Sequence, residues 1–259
     1  MQSMAKGNKK TRDTRRRHFP TKPTFPCFSS SVPIHSSDST SKPLPKPFSF
    51  MTPDRSLFIA VAGNIGAGKS SLTRLLGQHF GWKPYFESVD DNPYLADFYG
   101  DMTRWSFHLQ IYFLSKRFKH HKEMTESGHS VIQDRSIYED AEIFARNLYE
   151  IGKMDQRDYD NYVALYEVMT GYLKSPDLMI YLRASVDTLV NQIARRGRSF
   201  EQSIERGYLE QLNKHYESWI ARYTKGPLLV IQNDNLDFVN REGDLEQVIT
   251  LVKKKLHVP

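Results

Sequence analysis

Residues 57–80 constrain the architecture more than any other stretch of the chain. The apolar run Leu57–Ala62 passes directly into Gly63-Asn64-Ile65-Gly66-Ala67-Gly68-Lys69-Ser70, and Lys69–Phe80 then repeats apolar residues at helical spacing. Strand, glycine-rich turn and helix in that order satisfy G-x-x-x-x-G-K-[ST] together with the context that gives the pattern meaning. Glycines let consecutive backbone N–H groups turn inward around an anion, and the helix N-terminus adds partial positive charge. Lys69 reaches the outer phosphates and Ser70 can ligate magnesium. The competing reading is a glycine-rich turn with a helix-capping Ser70; strand, loop and helix in register favour the phosphate site. This implies a nucleoside triphosphate and leaves the acceptor open.

The same strand-then-helix rhythm continues. Strands are expected at Leu57–Ala62, Lys83–Glu87, Ser130–Asp134, Leu178–Leu182 and Leu228–Gln232. Helices are expected at Lys69–Phe80, Thr103–Thr125, Tyr138–Leu148, Asp155–Tyr172, Val186–Ala194, Glu205–Tyr223 and Gly243–Leu256. Alternation of this kind, with strands that are continuous apolar runs, predicts an α/β fold: a five-stranded parallel sheet covered by helices on both faces. Ligands in such a sheet lie beyond the carboxyl ends of the strands.

Charge divides the chain at Met51. Of 36 Lys and Arg and 30 Asp and Glu, residues 1–50 hold ten basic and two acidic groups (+8), leaving 26 against 28 (−2) for residues 51–259. Residues 1–50 also carry seven of the 13 prolines and nine serines, so they lack the apolar face that repays the entropy of ordering. They read as a disordered basic extension, and residues 51–259 as a single domain. The extension reads most simply as having no part in the chemistry, Met51 being a candidate start. A transit peptide fits its Arg- and Ser-rich composition, but Lys9–Arg17 lacks interleaved apolar residues. A nucleic-acid-binding arm rests on charge alone. The single cysteine, Cys27, excludes an intramolecular disulfide and a Cys-based zinc site. No apolar run approaches the roughly 20 residues that span a bilayer. A cytoplasmic protein with no membrane partner is expected, or an organellar one if the extension directs import.

Strand ends supply further candidates. Asp134 closes Val131-Ile132-Gln133-Asp134 and can hold magnesium, while Arg135 can neutralise phosphate charge; the alternative is a helix N-cap at Asp134 or Ser136. Arg195-Arg196-Gly197-Arg198, followed by Glu201, suits a flap closing over a transferring phosphoryl group, or equally a solvated basic turn. Glu87 ends the second strand, where a carboxylate can deprotonate a hydroxyl, with Asp90 and Asp91 as competitors. On the long helix, Gln110 and Arg117 are seven residues apart and share a face among aromatics. They read as base-pairing groups, Arg117 held by Asp140, or as an outward polar stripe.

Taken together, GNIGAGKSSL, FESVDDNPYL, RWSFHLQIYFLSKR, DRSIYEDAEIFA, RRGRSFEQSI with GYLEQLNKHYE, and NDNLDF form an ordered series over residues 57–258 that resembles the deoxynucleoside kinases. The resemblance implies a P-loop kinase fold with an Arg-rich lid at residues 192–204, and a homodimer. It implies ATP as donor with Mg2+, and transfer to a deoxynucleoside 5′-hydroxyl. Catalysis would fall to Glu87 as base, with Arg135 and Lys69. Residues Gly63 to Ser71, which include Ser71 after the motif, would bind ATP with lid residues Arg196 and Arg198. The loop Asn233–Phe238, through Asp234, Asp237 and Phe238, would contact the donor adenine. Ser70 and Asp134 would serve the metal. Tyr99 and Glu201 match the residues on the sugar 3′-hydroxyl, Gln110, Arg117 and Asp140 the base-reading trio, and Phe144 the aromatic that stacks on the base. One departure stands out: Gln192 occupies a position often held by a third lid arginine, and Arg195 can substitute for it from nearby.

Thymidine-preferring relatives lose the Arg–Asp pair, so Arg117 and Asp140 argue against thymidine. The wording of ESVDDNPYLADFY and DRSIYEDAEIF favours deoxyadenosine or deoxyguanosine, with deoxycytidine as runner-up. A nucleoside monophosphate kinase shares the loop, the Asp-Arg strand end and the lid, but its acceptor phosphate calls for a basic group where this chain has Glu87 and Tyr99. A nucleic-acid-binding switch has only the extension in its favour, and nucleic acid is not the expected partner.

Overall fold

The computed structural model describes residues 55–86, 92–198 and 204–258. The expected extension at residues 1–50 lies outside them. Five strands, β1 (Phe58–Gly63), β2 (Lys83–Tyr85), β3 (Val131–Asp134), β4 (Leu178–Arg183) and β5 (Leu228–Gln232), form one parallel sheet in the order β2-β3-β1-β4-β5. The helices are α1 (Lys69–Phe80), α2 (Leu95–Gly100), α3 (Met102–Glu126), α4 (Ile137–Glu139), α5 (Arg146–Glu150), α6 (Gln156–Thr170), α7 (Val186–Arg196), α8 (Arg206–Ala221) and α9 (Glu242–Leu256), with a π-helical segment at Asp140–Ala145 joining α4 to α5.

Alternation along the central strand splits the interior in two. Ile59 and Val61, with Ile180 and Leu182 of β4, pack against Leu72 and Leu76 of α1, Leu189 of α7, and Val248 and Val252 of α9. Ala60 and Ala62, with Met179 and Tyr181, meet Leu114 of α3, Tyr162 of α6, and Tyr216 and Trp219 of α8 on the other face. Small alanines on that face leave room for large rings. Tyr181 and Tyr216 stack there with centroids 5.7 Å apart and planes at 16°. Full burial of each large side chain is worth about 1.5–3 kcal/mol, so this two-sided core sets the position of every strand end.

Three local departures from the sequence expectation have physical causes. β2 stops at Tyr85 rather than Glu87, because it lies at the sheet edge and pairs only with β3, through Lys83, Pro84 and Tyr85. The short helix α2 was not anticipated, six residues being too few to show a period; it buries Phe98 against Leu109, Leu148 and Met154. The expected helix Tyr138–Leu148 widens into the π-helical segment at Asp140–Ala145, a form that recurs at functional sites and here carries both Asp140 and Phe144.

The phosphate loop leaves β1 at the middle of the sheet and lies close against α7. Gly66 has φ +86°, and a Cβ placed there would lie 2.8 Å from the Leu189 carbonyl oxygen and 2.9 Å from Ile193 Cγ1. Glycine is required for the backbone conformation and for the approach alike.

Candidate active site

The loop between β1 and α1 is braced from outside. Asn64, buried, accepts from the Ile65 N–H through Oδ1 (2.7 Å), while its Nδ2 donates to the Leu209 carbonyl (3.0 Å) and to Asn213 Oδ1 (2.7 Å) of α8. Asn213 in turn donates to the Ala184 carbonyl at 2.9 Å. From the opposite side, buried Asn233 donates to the Ala67 carbonyl at 3.0 Å. Lys69 Nζ donates to the Asn64 carbonyl at 2.9 Å, which holds the ammonium over the loop.

Asp134 and Ser136 divide the two roles that the sequence left open between them. Ser136 is the N-cap, in a reciprocal capping box with Glu139. Asp134 instead turns to the loop, where Ser70 Oγ donates to its Oδ2 at 2.5 Å. Asp134 Oδ1 is buried with no hydrogen-bond partner among the described residues. A hydroxyl and a carboxylate with an unused oxygen, both hard oxygen donors beside the phosphate loop, fit a magnesium ion. Among the described residues there is no cluster of three or more His, Cys, Asp or Glu able to hold a metal.

Two clefts meet over this corner. The first, of about 870 Å³, is lined by Lys69, Ser70, Tyr99, Gln110, Asp134, Arg135, Asp140, Phe144, Arg196 and Arg198. The second, of about 920 Å³, is lined by Gly66, Gly68, Ser70, Ser71, Gln192, Arg195, Arg196, Arg198 and the segment Asn233–Arg241. Gly66, Ser70, Arg196 and Arg198 belong to both, so a group at the end of the phosphate loop is reachable from either side.

Gln110, on the wall of the first cleft, and Arg117 are both buried rather than forming an outer stripe. Arg117 Nε donates to Asp140 Oδ2 at 2.6 Å, and neither side chain is more than 5% exposed. Arg117 thus stands behind Asp140, which reaches the cleft wall. Gln110 Oε1 is buried with no partner among the described residues. The Arg135 guanidinium lies 3.9 Å from the Phe144 ring centroid, covering one of its faces. Arg135 itself has φ +68°, a left-handed conformation that a side chain disfavours. Tyr208 of α8 also lines this cleft, and burial pushes its phenol up to about 12.

In the second cleft, Asp234 accepts from the Ser185 N–H (2.8 Å) and Thr188 Oγ1 (2.7 Å), tying the β5–α9 connection to the start of α7. Burial opposes ionisation of Asp234, but those hydrogen bonds hold its carboxyl below the usual range. Hydrogen bonds from Asn240 do the same for Asp237, with Arg195 contributing. Phe238 is buried and its Cζ would lie 3.1 Å from a Cβ on Gly68. α7 extends through Arg196, so Gln192, Arg195 and Arg196 are helical, and Gly197 caps the helix in the left-handed conformation.

Glu87 and Glu201, expected as base and sugar ligand, lie outside the described residues. Sequence reasoning gave no role to Glu139, Asn213 or Tyr216, and took Asn233 only as the start of the donor-adenine loop rather than as a brace of the phosphate loop. Of these, Glu139 carried a signal, since Ser136-Ile137-Tyr138-Glu139 is a capping-box pattern. The buried pair makes a measurable prediction. Arg117→Met keeps the apolar stem but removes this partner from a buried carboxylate, and is expected to lower the unfolding free energy by about 3–5 kcal/mol in urea titration. Arg117→Met/Asp140→Leu should regain most of the loss; a double variant no more stable than the single one would show that the isolated charge is not the cause.

Comparison with known proteins agrees with this geometry. The deoxynucleoside kinase family model matches residues 59–257. The chain is 43% identical over 201 residues to a deoxyadenosine/deoxycytidine kinase of Bacillus subtilis, covering 77% of this chain and 93% of that one. It is 41% identical over 207 residues to a deoxyguanosine kinase of Lactobacillus acidophilus, covering 76% and 90%. A solved structure of deoxyadenosine kinase from M. mycoides, with products dCMP and a flexible dCDP bound, matches with a TM-score of 0.69 at 33% identity, over 76% of this chain and all of that one. This chain belongs to the deoxynucleoside kinase family and is a phosphotransferase with a hydroxyl group as acceptor.

Proposed function

We propose that the enzyme transfers the γ-phosphoryl group of ATP to the 5′-hydroxyl of a purine deoxynucleoside, deoxyadenosine or deoxyguanosine, in nucleotide salvage. The observation that carries this reading is the first cleft. It sets Asp140, backed by Arg117, and the unpartnered Gln110 Oε1 where a base can pair, and it joins the second cleft at the phosphate loop. Relatives named for deoxyadenosine and deoxyguanosine support a purine. The Bacillus relative, named for deoxyadenosine and deoxycytidine, keeps deoxycytidine as the second reading. A site built around hydrogen bonds discriminates strongly because the wrong base leaves buried groups unpaired.

Roles follow from position. The phosphate loop and Lys69 hold the triphosphate, with Asp234, Asp237 and Phe238 on its adenine. Arg135, Arg196 and Arg198 share the charge of the transferring group. Tyr99 and Glu201 hold the sugar 3′-hydroxyl, Phe144 stacks on the base with the face that Arg135 leaves open, and Glu87 accepts the 5′-hydroxyl proton. Ser70 and Asp134 hold Mg2+, which neutralises phosphate charge when bound. Positioning and electrostatics provide most of the acceleration in this chemistry. We read the domain as residues 51–259, the lid as residues 192–204 and the location as cytoplasmic, or organellar if residues 1–50 direct import. No helix among the described residues is long and apolar enough to cross a membrane.

A homodimer belongs to the same proposal. Leu165, Val168 and Tyr172 form an exposed apolar stripe along and just past α6, 41%, 61% and 83% exposed. A stripe of this kind suits a second copy of the chain. Val168→Glu is expected to shift the sedimenting species from dimer to monomer, and a wild-type chain that sediments as a monomer would refute the dimer.

The reaction is tested by coupled ADP release with each of the four deoxynucleosides, ATP and Mg2+, on the full chain and on one beginning at Met51. The expected outcome is fastest turnover with a purine and equal rates for the two chains; no turnover with any deoxynucleoside rejects the assignment. Glu87→Gln should lower kcat by about 100-fold or more with ATP affinity little changed, and near-normal turnover would remove Glu87 as base.

A further inference from the structure

Glu139 is fully buried, and the reaction outlined above gives it no role. Its Oε1 accepts from the Gly63 N–H at 3.3 Å and from the Tyr216 hydroxyl at 2.8 Å. Its Oε2 accepts from the Ser136 N–H at 2.8 Å and from Ser136 Oγ at 3.1 Å. Two hydrogen-bond contacts on each oxygen match the roughly four acceptor positions of a carboxylate. The donors come from three separate segments: the first glycine of the phosphate loop, the turn directly after Arg135, and α8, the helix that follows the lid. Burial drives the Tyr216 phenol well above its ordinary range, so it stays a proton donor, and its one proton is shared between Glu139 Oε1 and the Gly63 carbonyl, each 2.8 Å away, which adds a second tie to the first glycine of the loop.

A helix cap alone does not account for this arrangement. Ser136 would cap α4 with its hydroxyl, and a carboxylate buried this deeply is costly unless its hydrogen bonds compensate. The reach to Gly63 adds nothing to the cap. It does connect two parts of the active site. Arg135 has positive φ, and the peptide N–H on either side of it is anchored: its own to the Val61 carbonyl at 2.9 Å, and that of Ser136 to Glu139.

We propose that Glu139 is a positioning residue, whose carboxylate clamps the Arg135 turn and the first glycine of the phosphate loop into one frame. The arginine beside the acceptor and the backbone around the donor phosphates then keep a fixed spacing through transfer. The inference rests on the phosphoryl-transfer reading above and reaches the chemistry through Arg135 and the loop.

Glu139→Gln tests it in the full chain. Glutamine offers one acceptor oxygen and an amide whose two hydrogens would face N–H donors, so one side of the clamp opens. The expected kcat is about 10- to 100-fold lower, with KM for ATP and deoxynucleoside within about threefold, at a temperature where circular dichroism shows the variant folded. Because Glu139 acts partly through Arg135, Glu139→Gln/Arg135→Lys should lose clearly less than the product of the two single losses. Losses that multiply, an unchanged kcat, or a fall that tracks only the unfolded fraction would each overturn the proposal. Amide exchange separates this outcome from a failure of the enzymatic reading: Gly63 and Ser136 should exchange faster in Glu139→Gln while β4 stays protected, and unchanged protection at both would also overturn it. Should Glu139→Gln not fold, Tyr216→Phe removes one donor and keeps the carboxylate, and the same cycle applies with a smaller expected loss, about three- to tenfold.

Discussion

A loop that turns part of its backbone N–H groups toward a phosphate chain has fewer of them left to hold itself in shape. That constraint shapes everything around Gly63–Gly68. Asn64 is fastened to α8 through Leu209 and Asn213, Asn233 reaches in from the end of β5 to the Ala67 carbonyl, and Glu139 takes the Gly63 N–H from below. The braces come from segments far apart in sequence, and only the two-sided core of the parallel sheet brings them to one place. The order β2-β3-β1-β4-β5 puts the loop at the middle of the carboxyl edge, where strand ends on both sides can reach it.

The acceptor end is governed by a different cost. An ion pair as buried as Arg117–Asp140 contributes little net stability compared with packed apolar residues, because desolvation offsets most of the attraction. What it supplies is direction. A guanidinium at 2.6 Å fixes the orientation of the Asp140 carboxylate at the wall of the cleft. The π-helical segment at Asp140–Ala145 carries this carboxylate and Phe144 on one wide turn, so the polar and the stacking contributions to that cleft share a single piece of backbone.

How much of this was legible in the sequence differs from residue to residue. The phosphate loop was fully legible, because strand, glycines, lysine and helix all lie within 24 consecutive residues; the alternation that predicts a parallel sheet was legible too, over the whole of residues 57–256. Asp134 was legible as a strand-end carboxylate, but its choice of Ser70 over a helix cap depends on β1 and β3 lying side by side. Gln110 and Arg117 were legible as sharing a face; which way that face points was not, since aromatic residues cover so much of α3 that its periodicity favours no direction. Glu139 was visible only as half of a capping box. Its second engagement, with Gly63, spans 76 positions and has no local trace. The π-helical widening left none either, because its sequence is compatible with an ordinary helix.

The contact between Gly66 and α7 bears on how the arginine segment can operate. With the loop lying against Leu189 and Ile193, the body of α7 is part of the floor that receives the triphosphate. An outward swing of the whole helix would break its close approach to Gly66. In the lid proposed above, movement would be divided at the helix terminus: Leu189 and Ile193 stay packed against the loop, and Gly197, in the left-handed conformation, is the first joint past them. Arg196 and Arg198 stand on opposite sides of that joint, so the proposed lid would carry one arginine on its hinge side and the other beyond it.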